Sequence, residues 1–146
     1  MKEDTINRLD QEFVEFPVMR SDDVPSDEEI DAASQKIGIQ FPEDYRQFLQ
    51  RYGSAMVGAY PIFGLRPVAV LGKRRWSVLE MTNQFRSSSS DEFSDWIVFS
   101  EDHAGSPIGM DTKGKVWIND HDFGGVTELA DSFEEYIRIQ CLKLTK

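Results

Sequence analysis

Phe41-Pro42-Glu43-Asp44-Tyr45-Arg46-Gln47-Phe48-Leu49-Gln50-Arg51-Tyr52-Gly53 is the most informative segment of the chain. Tyr45, Phe48, Leu49 and Tyr52 recur at i, i+3, i+4 and i+7, the apolar face of a helix. Pro42 falls where a first turn is expected, and a missing N–H is no loss there. Glu43 and Asp44 suit the positive end of the helix dipole, and Gly53 marks the stop. Just upstream, Ser26-Asp27-Glu28-Glu29 reads as a capping box. The helix it opens carries Ile30, Ala33 and Ile37 on one face, and Gly38 is placed as a left-handed cap. Only Gly38 to Phe41 separates the two helices, so they must pack side by side or at an angle.

Working outward, Thr5 to Phe16 predicts a further helix with Ile6, Leu9, Phe13 and Phe16 as its stripe. Pro17 ends it, because the residue before a proline leaves the helical region. After Ala55 the texture changes. Tyr60 to Leu65 has strand and turn residues, and Val68 to Leu71 is too short for periodicity to choose between strand and helical turn. Val78, Met81 and Phe85 predict a helix from about Trp76 to Arg86, followed by a low-complexity loop from Ser87 to Glu92. Trp96 to Phe99 reads as a strand buried on both faces. Ile108 to Met110 and Val116 to Ile118 flank Asp111-Thr112-Lys113-Gly114, a hairpin with glycine at the positive-φ position. Val126 to Leu129 is another short strand. Ser132 and Glu135 form a second capping box for a last helix that turns Phe133, Tyr136, Ile137, Cys141 and Leu144 inward. Helices first, hairpin-linked strands later and a closing helix predict an α+β fold, not alternating βαβ units.

At 146 residues the chain is the size of one domain, residues 1–146, with an N-terminal helix and linker over 1–20 and a core from about 22 to 144. Hydrophobic residues at 40% and ten phenylalanines exclude a wholly disordered chain. No apolar run approaches the roughly 20 residues needed to span a bilayer. Met1 to Phe16 lacks the basic flank and uninterrupted apolar stretch of a signal peptide. The single cysteine, Cys141, excludes an internal disulfide, and a buried inert thiol is the expectation for it. A cytoplasmic protein is the reading.

Asp and Glu total 26 against 16 Lys and Arg, a net charge of −10. That sign argues against direct nucleic-acid binding, which needs Lys and Arg clusters. The only basic cluster, Lys73-Arg74-Arg75, is too short to carry a duplex. Negative charge speeds association with a cationic protein, although it also serves solubility alone.

The two histidines, His103 and His121, stand beside Asp102, Asp120 and Asp122, and a hydrolase reading would use Asp102, His103, Asp120 and His121. Their spacing matches no metal-ligand pattern. Neighbouring strand residues point to opposite faces, so Asp120 and His121 would not share a site on a continuous strand. They read instead as hairpin-end residues bonding local backbone. Asp122-Phe123-Gly124 lacks every other part of a kinase. Phosphate-binding glycine loops, paired CxxC motifs and GxSxG elbows are absent. Neither a catalytic residue, a metal nor a cofactor is predicted.

Three segments in order resemble the SUKH superfamily, the group that contains the fungal cell-wall assembly regulators and many small bacterial proteins. They are FPEDYRQFLQRYG at 41–53, FSEDHAGSPIGMDTKGKVWINDHD at 99–122 and ADSFEEYI at 130–137. The capping-box helix at Ser26 fits as well. The resemblance implies an α+β domain with a mixed, mainly antiparallel sheet and helices packed around it. It also implies a non-enzymatic immunity protein, since bacterial members mostly bind and neutralise a polymorphic toxin, commonly a nuclease. The fungal members' disordered extensions are missing here. The alternative is a regulatory or scaffold protein of the same fold. For a basic toxin domain, the expected partner-binding carboxylates are Asp22, Asp23, Asp27, Glu28 and Glu29, with Glu43 and Asp44 at the next helix start. Asp102, Asp120 and Asp122 form a second group at the hairpin end.

Overall fold

In a computed structural model of the chain, residues 1–72, 77–88, 94–120 and 124–144 are described. The sequence features at Lys73 to Trp76, Ser89 to Glu92 and His121 to Phe123 lie outside them. Among the described residues five helices, α1 (Glu3–Glu15), α2 (Asp27–Ile37), α3 (Glu43–Tyr52), α4 (Val78–Ser88) and α5 (Phe133–Tyr136), join six strands. A hairpin of β1 (Ala55–Val57) and β2 (Tyr60–Ile62) stands beside an antiparallel sheet ordered β3 (Ile97–Glu101), β4 (Pro107–Met110), β5 (Val116–Asn119) and β6 (Val126–Ala130). This is the α+β arrangement the element order predicts. The strand pairs are antiparallel, and among the described residues the one parallel contact is the isolated bridge between Gly64 and Ser77. No helix among the described residues is long and apolar enough to cross a membrane.

The local signals explain most boundaries. Ser26 and Glu29 close both halves of the capping box, 3.2 Å from the Glu29 amide to the Ser26 hydroxyl and 3.1 Å in return. Gly38 ends α2 in the left-handed conformation at φ 84°. Gly114 takes φ 85° in the hairpin turn. Other expectations shift. Pro42 is the N-cap of α3, with extended ψ of 149°, so it precedes the first turn. The buried stripe of α1 is Thr5, Leu9 and Phe13, with Ile6 half-buried. Phe16 is exposed, because the chain turns away at this C-cap into a 3₁₀ turn, Pro17–Met19. Helix α4 starts at Val78 and takes in Ser87 and Ser88, whose hydroxyls donate back to the Asn83 and Gln84 carbonyls. At α5 only half of the second capping box forms: Ser132 Oγ accepts the Glu135 amide, while the Glu135 carboxylate accepts the Asp131 amide instead. Helix α5 then widens into a π turn, Ile137–Cys141. Val68 to Leu71 resolves as a 3₁₀ turn over Ala69–Leu71.

The core lies where α3 and α5 meet β3. Tyr45 is edge-on to Phe133 at 5.1 Å, and Phe133 to Phe99 at 5.3 Å. The Tyr45 hydroxyl donates to the Phe63 carbonyl at 2.7 Å, so this fully buried phenol is satisfied. Burial drives its pKa up. Strand β3 is buried on both faces from Ile97 to Ser100, as its unbroken apolar run predicts. Residues paired across a sheet share a face, which puts Val98, Gly109 and Trp117 together. The bare Cα of Gly109 makes room for the Trp96 indole, which stacks on Phe85 of α4 at 5.5 Å.

Candidate functional site

The acidic segment before α2 is anchored from below. The Ser21 hydroxyl is buried, 2.7 Å from the Tyr52 carbonyl and 2.8 Å from that of Asp23, and it accepts the Ser54 amide. The loop is therefore tied to the end of α3.

Two arginines then gather the carboxylates. Arg66 Nε lies 3.1 Å from Asp23, and its Nη2 lies 2.7 Å from Glu29. Arg46, on the exposed side of α3, reaches Asp31 at 2.6 Å and Asp27 at 3.8 Å. Gln50 donates to Asp27 at 2.8 Å. Glu29 is held below the usual glutamate range, first by the Ser26 amide and then by Arg66. Arg66 is raised in turn, chiefly by Glu29. Asp22 and Glu28 are exposed and make no ion pair among the described residues. The expected acidic surface thus divides. Asp23, Asp27 and Glu29 answer to arginines of the same chain, and Asp22 and Glu28 point their charge outward alone.

The other candidate carboxylates have local work. Asp44 accepts the Tyr45 amide at 2.9 Å and, across the fold, the Glu134 amide at 2.9 Å. It joins the starts of α3 and α5. Glu43 is exposed and accepts a long contact from Gln47 at 3.5 Å. At the hairpin end, Asp102 Oδ1 accepts the amides of Ala104 and Ser106 at 3.0 and 2.8 Å, the local backbone bonding expected of it. The exposed His103 ring stands edge-on to Tyr60 at 5.9 Å, while the Asp102 carboxylate is spent on backbone amides. Asp120 closes the β5–β6 loop through its backbone, its N–H donating to Gly125 and its carbonyl accepting from Gly124. Asp122 and His121 lie outside the described residues. Among the described residues no three His, Cys, Asp or Glu side chains converge as metal ligands. Cys141 is buried, and burial pushes its thiol up to about 12.

Sequence reading missed the basic half of these arrangements. Arg46 and Arg66 sit 15 and 37 residues beyond the acids they hold, at Asp31 and Glu29. Arg51 similarly pairs with Asp10 at 2.7 Å, and the Tyr52 hydroxyl donates to the same carboxylate at 2.7 Å. Arg51 is the largest influence holding Asp10 below its ordinary range. Asp111 carried a local signal, as the first residue of a glycine turn. Its carboxylate accepts the Lys113 and Lys115 amides and the Trp117 indole N–H.

The sequence pattern of the family described as SMI1-KNR4 cell-wall, SUKH_5, matches residues 2–142. No curated protein matches the chain. The family match spans nearly all of the helices and strands described above, and on it this chain belongs to the SMI1-KNR4 cell-wall family of the SUKH superfamily.

Proposed function

We propose that this protein is a non-enzymatic immunity protein that binds a cognate toxin domain, a basic nuclease, and neutralises it by covering the active cleft. The observation that carries this reading is the outward-facing acidic surface at the start of α2, in a chain of net charge −10. A nuclease cleft must attract phosphate, so an acidic surface is steered to it and competes with the substrate's own charge. The arginine pairs favour this use. They fix the loop and the first turn of α2, so less conformational freedom is lost on binding. Membership of a superfamily whose bacterial members are mostly immunity proteins supports the same role.

The test is co-expression with the toxin domain encoded beside the gene. A complex that co-purifies, restored growth and stoichiometric loss of nuclease activity in vitro are the expected results. An active toxin in the presence of excess protein overturns the proposal. Replacing His103 and His121 by asparagine should leave neutralisation within about a few fold, because their spacing in the sequence matches no metal-ligand pattern. A large loss with the fold intact would return the hydrolase reading to contention.

A further inference from the structure

Six large hydrophobic side chains are exposed on the described surface, and four of them meet at one corner. Val14, Phe16 and Val18 fall within five residues at the end of α1 and the 3₁₀ turn after it. That turn packs against Ala69–Leu71, which brings the exposed Val70 alongside. Beside them, between the end of α1 and β1, opens a groove of about 170 Å³, lined by Phe13, Phe16, Met19, Met56 and Val57, with Glu12 at its rim; of the four exposed side chains Phe16 reaches into it. It has room for one large apolar side chain. Methionine-lined surfaces adapt to such guests, and clustered exposed apolar residues mark contact sites.

The charges at this corner narrow the occupant. The last turn of α1 holds no basic residue. It places Glu12 and Glu15 at the negative end of the helix dipole, where cations are favoured and carboxylates are not. Arg8 reaches Glu12 only at 3.4 Å, and Glu15 is exposed with no ion pair among the described residues. Arg20 is turned inward, onto the Ser21 carbonyl and the Tyr52 ring. A second copy, also at net charge −10, would bring like charge to a disfavoured helix end.

We infer that the α1 corner is the anchoring surface for the basic toxin domain, with an apolar toxin side chain in the Phe13–Met56 groove and a flanking lysine or arginine capping the end of α1. The inference rests on the immunity reading above and adds a division of labour to it. The acids before α2 steer the encounter, and the apolar corner holds the complex once formed. Buried apolar anchors set dissociation, whereas peripheral charges act on association.

The experiment measures association and dissociation rates of the purified toxin domain with the full chain and its variants. Val14→Ser/Phe16→Ser/Val18→Ser should raise the dissociation rate at least about tenfold and leave association within about twofold. Glu12→Gln/Glu15→Gln should raise dissociation by about threefold. Circular dichroism checks the fold. Should the triple variant not fold, Phe16→Ser alone, at a groove-lining position that is 47% exposed, gives the same comparison with a smaller rise. Wild-type binding with unchanged dissociation in these variants overturns the inference and leaves the immunity reading standing. Wild-type protein that does not bind the toxin overturns both. A self-association that the triple variant abolishes, seen by light scattering, identifies a second copy as the occupant and overturns it as well.

Discussion

The aromatic core around α3 and the acidic surface before α2 are neighbours in the chain, and they behave oppositely as carriers of information. Tyr45, Phe48, Leu49 and Tyr52 are all buried, as their spacing predicts. The carboxylates from Asp22 to Asp31 are as conspicuous in the sequence, yet beyond Glu29 in its capping box nothing in it tells which are engaged. Burial is decided by periodicity, a property of the element itself. The state of a charge is decided by its partner, which can come from anywhere. Here the partners come from the exposed side of α3 and from the chain beyond β2.

The sharpest way to break this comparison is to show that the α3 stripe is not core. Leu49 is fully buried between α3 and its neighbours. Leu49→Ala should destabilise the protein by about 2–5 kcal/mol in a urea titration. A change under about 0.5 kcal/mol would mean an exposed face, on the scale of surface substitutions.

A smaller effect tests the other side of the sheet. A Cβ on Gly109 would stand 2.8 Å from Trp96 Cε3 and 3.0 Å from the Ile97 carbonyl oxygen. The carbonyl belongs to a paired strand and cannot retreat freely. Gly109→Ala should therefore cost about 1–3 kcal/mol, the range for overpacking. An unchanged urea midpoint would show that Trp96 moves at no expense and that its stack on Phe85 is loose.

The fold was legible wherever a signal was local. The capping box at Ser26, the left-handed Gly38 and the Asp111–Gly114 turn each depend on residues within a few positions. Errors arose where tertiary context decided. The Phe16 side chain fits the α1 period, but the chain leaves the helix at that residue and exposes it. Strand β1 is three residues long, too short for any alternation to show. The π turn after Tyr136 keeps Ile137 and Cys141 inward, so the inward positions survive although the helix does not stay regular. Within the acidic surface, the residue types were legible and the pairing was not.

The comparison sharpens if the paired and unpaired acids are separated kinetically. Neutralising Asp22, Asp23, Asp27 and Glu28 together should slow association with a basic toxin by at least about tenfold at low salt. The effect should shrink at physiological salt, where the screening length is about 8 Å. Asp22→Asn/Glu28→Gln alone should retain most of the loss, because Asp23 and Asp27 already share their charge with Arg66 and Arg46. Stopped-flow rates across a salt series give the answer. Rates that are independent of salt and of all four substitutions would place the encounter elsewhere.

The smallest effect concerns Arg66 itself. Glu29 is depressed in the folded protein by the Ser26 amide and by Arg66. A carboxyl depressed on folding binds more protons in the unfolded chain, so its contribution to stability is present above the ordinary glutamate range, near 4.3. That contribution is lost as pH falls through the lower, folded value. The pair is exposed, so its effect on overall stability is slight and the site-specific titration is the better measurement. Carbon-detected NMR of the Glu29 carboxyl should give a midpoint below that of an ordinary glutamate. In Arg66→Met the midpoint should rise and still remain depressed, because the Ser26 N–H continues to donate. Ser26→Ala retains the amide but loses the hydroxyl that accepts from Glu29, loosening the box from the other side. Equal midpoints in wild type and Arg66→Met would show that the arginine does not hold the first turn of α2. The acidic surface would then be no more fixed than the isolated capping box makes it, and pre-organisation would drop out of the argument for partner binding.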